Sequence, residues 1–149
     1  MAIASMIHIV AVVIWVGGMI FAHVMLRPVA ASQLEPPVRL TLWVGIFGRF
    51  FPWVWGCIAM ILATGFWTIF AVFGGLGSVG AYVHAMMGIG IIMMLIFFFV
   101  YFVPYQRLKA AVAAQDWPAG GNNLTMIRHL VGVNMMLGVV TIAARYLMV

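Results

Sequence analysis

Four stretches of this chain, at about residues 3–26, 50–73, 81–103 and 125–147, stay predominantly apolar for longer than the ~18 residues that mark a transmembrane helix. That decides the fold class. In hydrocarbon every backbone N–H and C=O must find a partner within the chain, and uninterrupted runs of this length do so as helices. The expectation is an all-α integral membrane protein, a four-helix up-down bundle forming a single transmembrane domain over residues 1–149. Composition agrees, with 67% hydrophobic and only 6% charged residues, which excludes an ordinary soluble domain. The N-terminal Met1-Ala-Ile-Ala-Ser5 lacks the basic start of a signal peptide, so the first apolar stretch reads as a retained span.

The breaks follow from proline, glycine and charge. The first span ends at Arg27-Pro28, and Gln33, Glu35, Pro36-Pro37 and Arg39 form a polar connection. Residues 38–49 mix Arg39, Trp43 and Arg49 with apolar neighbours and read as a segment lying along the interface. Pro52 falls near the start of the second span, where its missing N–H is tolerated. A glycine-rich turn at 74–80 leads to the third span. After a more soluble stretch, Trp117-Pro118 and Gly120-Gly121-Asn122-Asn123 read as a helix break, with Asn123 or Thr125 capping the fourth span.

The formal charge of +5 is a topology signal. Arg27, Arg39, Arg49, Arg107, Lys109 and Arg128 fall on the side of the first and third connections, and only Arg145 lies toward the other. The positive-inside rule assigns the arginine-rich side to the cytoplasm, which puts both termini on the periplasmic side of a bacterial inner membrane. The cations are scattered and form no patch for nucleic acid; the surrounding partner is membrane lipid. Trp43, Trp53, Trp55, Tyr101, Tyr105 and Trp117 read as the inner aromatic belt, and Trp67, Tyr82 and Tyr146 as the outer. A lone Cys57 excludes an internal disulfide.

All four histidines, His8, His23, His84 and His129, lie in the spans, where ionisable residues are costly and mark function. Threading sorts them by depth. His8 and His84 fall in the outer half, His23 and His129 in the inner half. His8 and His23 are roughly 22 Å apart along one helix. At about 100° per residue they are offset by about 60°, on one face with Val12, Trp15 and Met19 between them. Two depth-matched imidazole pairs suit the axial ligation of two b-type haems. Gly88 and Gly132, one turn beyond His84 and His129, are candidate slots for the porphyrin, and Arg27 and Arg128 are candidate propionate partners of the inner haem. The expected activity is a haem b oxidoreductase carrying electrons across or into the bilayer, with a quinone or quinol or a small redox molecule as partner. Whether ligand pairs form within one bundle or between subunits of a homodimer stays open.

Thirteen methionines support a copper alternative, because thioethers suit Cu(I). Met19 and His23, His84 and Met87, and Met126 and His129 share helix faces at spacings of three or four. Other chemistry is poorly served. The only carboxylates, Glu35 and Asp116, lie in loops, so no buried acid can relay protons. Asn134 is read as a helix–helix hydrogen-bonding residue.

The first span, from His8 through Trp15, Gly17-Gly18, Phe21-Ala-His23 to Arg27-Pro28, resembles the opening helix of the CopD family of bacterial copper-resistance membrane proteins. Arg49-Phe-Phe, His84, and Arg128 with Asn134 are similar to that family's small four-span members. The resemblance implies an inner-membrane protein linked with copper uptake. A more distant similarity is to the HemJ-type protoporphyrinogen oxidases, which have an early histidine and a b haem. The chain departs from that pattern at Gly17-Gly18 and Phe21-Ala-His23.

Overall fold

The computed structural model describes residues 1–147. Four helices carry nearly all of them: α1 (Ala2–Gln33), α2 (Pro36–Val72), α3 (Ala81–Ala113) and α4 (Trp117–Leu147). Each is long and apolar enough to span a membrane, so the four-span bundle stands as read. The helices are longer than expected, however. At 1.5 Å per residue α1 is roughly 48 Å long, against about 30 Å of hydrocarbon, so every helix carries a continuation beyond a membrane's width.

Three proposed breaks do not break. Arg27-Pro28 lies inside α1, because Phe21–Leu26 is a π-helical segment and the Arg27 N–H reaches back to the Ala22 carbonyl. The widened turn makes room for the proline ring, which an α-helical turn would hold against its own carbonyl. Residues 38–49 are the start of α2 and not an interfacial segment, and Pro52 is interior to that helix. The stretch 117–123 is the first two turns of α4. Its cap is Asp116, whose Oδ1 accepts the Ala119 N–H at 3.2 Å. The expected caps Asn123 and Thr125 instead donate to the carbonyls four residues back. Gly120 is there for packing: a Cβ on it would sit 3.0 Å from Leu40 of α2. In α3 only Val103 departs from helical geometry, and Pro104 restarts the helix from its first position.

α1 packs chiefly on α2 and α3 on α4, with smaller α1–α4 and α2–α3 seams; α1 and α3 are diagonal. Trp15 and Met19 are buried at the centre, as their stripe predicts. Gly18 lets the Phe50 ring against α1, whereas Gly17 faces open space. Asn134 donates through Nδ2 to the Met93 carbonyl at 3.2 Å, the interhelical bond expected of it.

Two residues of the supposed inner belt turn inward. Trp43 and Tyr105 are 4% and 5% exposed. The α2–α3 seam continues to this level, and stacked Phe47 and Phe51 hold Tyr105 edge-on within it. Trp53 and Trp67 do face outward.

The α1–α4 seam is close-packed as well. A Cβ on Gly138 would lie 2.7 Å from Val16 and 3.3 Å from Met93. Replacing Gly138 with alanine is expected to destabilise the bundle by about 1–3 kcal/mol through overpacking, and Gly17→Ala to have little effect. Thermal unfolding of the two variants in one detergent checks the contrast.

Candidate functional site

The four histidines have different surroundings. His8, half-buried on α1, puts its Nδ1 2.9 Å from the Thr64 hydroxyl of α2. A threonine hydroxyl has one proton, and Thr64 spends it on the Met60 carbonyl at 2.6 Å. The His8 Nδ1–H must therefore donate to Thr64, so that in the neutral ring Nε2 is the nitrogen that carries the lone pair. His84, exposed in the first turn of α3, arrives at the same tautomer by another route. Its Nδ1 lies 3.3 Å from the Gly80 carbonyl, which can only accept. These tautomers are assigned from hydrogen bonds, and they match metal-binding histidines, in which the second ring nitrogen donates to a protein oxygen.

Thr64 is the partner of His8 that sequence reasoning missed. Its signal was available: it lies in the second span at about the depth of His8. Threonines are routinely absorbed by bonding to their own helix, and here that bond is what fixes the direction of the second one.

His23 faces a different partner. It lies in the π-helical segment of α1, against α4, where a Cβ on Gly132 would come within 3.1 Å of its ring. Gly132 thus accommodates the His23 imidazole, rather than standing free beside His129. His8 and His23 both point into the bundle, one toward α2 and the other toward α4. His129 is exposed on α4, and Gly88 on α3 faces open space. Among the described residues, Arg27, Arg128 and His129 are near enough to His23 to act on it electrostatically.

His23, Arg27 and Arg128 line one cavity of about 370 Å³ at the arginine-rich end of the bundle, joined by Arg39, Trp43 and Trp117. His129 does not line it. Between this cavity and the histidines of the other half the bundle is filled by Trp15, Val16 and Met19. Among the described residues no group of three or more His, Cys, Asp or Glu is gathered as a metal cage. A metal held by this chain would use few imidazoles, with thioether or external ligands completing the shell.

The class of protein is thus set: a four-helix membrane bundle with two Nδ1-anchored imidazoles in one half and a basic cavity at the opposite end. A family model, Copper resistance protein D, matches residues 44–148. The chain belongs to the copper resistance protein D (CopD) family. His84, His129, Arg128, Gly88 and Gly132 lie inside the matched region; His8, His23 and Arg27 precede it. No curated protein and no solved structure matches the chain.

Proposed function

We propose that this protein handles copper at a bacterial inner membrane, taking up the ion in the outer half through the Nε2 atoms of His8 and His84. The observation that carries the reading is the pair of Nδ1 contacts: each ring has Nδ1 against a protein oxygen that accepts, and the neutral imidazole so anchored keeps Nε2 available. The membership of the CopD family points to the metal. Met87, one turn beyond His84, is a candidate soft co-ligand for Cu(I). The filled middle of the bundle makes this a binding and hand-over protein in the observed conformation, and passage across the membrane would need the helices to shift. By the positive-inside rule the glycine-rich turn and both termini are periplasmic, so the histidine half faces the side on which copper arrives.

The cellular test is copper content. Cells expressing the protein are expected to accumulate more copper than cells expressing the His8→Ala, His84→Ala double variant at equal protein level. Equal content in the two would remove the proposal.

A haem b reading has one specific support, since the same two Nε2 atoms also suit haem iron. In that reading the protein passes electrons to a quinone or a small redox molecule, and His23 with His129 forms a second ligand pair beside Arg27 and Arg128. One optical spectrum separates the readings. Copper handling predicts protein free of stoichiometric haem when purified from haem-replete cells. A Soret band of one haem per chain that disappears in His84→Ala would establish the haem reading instead.

A further inference from the structure

The basic cavity has no part in the copper reading, and its chemistry is wrong for a cation. Three guanidiniums from three helices, Arg27 of α1, Arg39 of α2 and Arg128 of α4, line about 370 Å³ of space, and no carboxylate shares the lining. Glu35, four residues before Arg39, is exposed and lies outside the cavity. All three arginines are half-buried. Guanidiniums keep their charge in proteins, and with no carboxylate in the lining the wall favours an anion.

We propose that this cavity is a binding site for a phosphate group. The hydrogen bonds leave the guanidiniums open for one. Arg39 uses a single nitrogen, Nη1, on the Ala31 and Leu34 carbonyls at the end of α1, at 3.4 and 3.5 Å. Besides Arg39, the arginine that hydrogen-bonds within the protein among the described residues is Arg49, on its own helix. Arg27 and Arg128 therefore keep their full donor sets. Phosphate fits better than carboxylate because forks on three helices approach from different directions. A phosphate has oxygens to meet each of them, whereas a carboxylate matches one planar fork.

The rest of the wall suits a phosphate carried on a larger molecule. Trp43 and Trp117 supply apolar faces, and Asn122 adds an amide. The cavity lies at the arginine-rich end of the bundle, where the positive-inside pattern puts a membrane's headgroup region. The phosphate can thus belong to an anionic phospholipid or be free in solution. The inference rests on the cavity alone, independently of the copper reading.

Trp43 and Trp117, two of the six tryptophans, line the cavity and report on its occupancy. Intrinsic fluorescence of the purified protein in a zwitterionic detergent would be titrated with short-chain phosphatidylglycerol and, separately, with inorganic phosphate. Saturable change with either ligand is expected, weakened at least tenfold in Arg27→Gln, Arg128→Gln and less in Arg128→Lys, which retains the charge but not the fork. Arg107→Gln, exposed on α3 outside the cavity, should titrate like the unmodified protein. Saturation by the lipid alone would assign a headgroup, and saturation by both the phosphate itself. No saturable change with either ligand would overturn the proposal. So would equal weakening in Arg107→Gln, which would reveal general charge attraction. A haem Soret band lost in the Arg27→Gln, Arg128→Gln protein would overturn it as well, since the arginines would then hold propionates.

Discussion

Alanine at both His8 and His84 is expected to weaken Cu(I) binding by the purified protein about 100-fold or more, some 2.7 kcal/mol. Each substitution removes a ligand atom, and the described residues offer no cluster of His, Cys, Asp or Glu to take its place. The bundle itself should tolerate the change. His84 is exposed, and its hydrogen bond is to the carbonyl of its own first turn. His8 gives up one interhelical hydrogen bond, worth about 1 kcal/mol. Competition titration against a chromophoric Cu(I) chelator gives the affinity, and thermal unfolding of the same samples shows that the fold is kept. Affinity within threefold of the unmodified protein would remove both residues from the site.

Thr64→Val is the second large effect, and it leaves both proposed ligand side chains in place. Valine keeps the shape of threonine but offers His8 no oxygen. The Nδ1–H then loses its acceptor, and the imidazole is free to rotate or to move its proton to Nε2, where it blocks coordination. Loss of such an outer hydrogen bond typically costs 10- to 100-fold in metal affinity, and that range is expected here. Thr64→Ser should restore binding because it restores the hydroxyl. A merely structural role for Thr64 would shift the unfolding temperature of the valine variant and leave copper affinity unchanged. No equivalent substitution exists for His84, whose partner is the Gly80 backbone.

The architecture was legible in the sequence because hydrocarbon imposes one rule on every backbone group, and four apolar runs can meet it only as helices. The ends were not. Pro28 and the Gly120-Gly121 pair are local stop signals, and both were overridden. A π-helical turn absorbs Pro28, and Leu40 packs onto Gly120. Depth alone does not decide what each histidine meets, because facing could not be read from the helical period. The offset calculated for His8 and His23 assumes a regular helix, and α1 changes its winding at Phe21. Their partners, Thr64 and Gly132, lie on different neighbours, and only packing decides which neighbour each ring meets. The basic cavity was hidden for a related reason. Arg39, Trp43, Trp117 and Asn122 stood in segments read as interfacial or broken, and they converge because those segments are helical.

The central claim is that imidazole Nε2 atoms of this chain hold copper. X-ray absorption at the copper K-edge of the Cu(I)-loaded, purified protein tests it most directly. The account predicts retained copper with imidazole nitrogen in its first coordination shell, a signature lost in the His8→Ala, His84→Ala variant. Protein that retains no copper, or copper whose shell is unchanged in that variant, would contradict it.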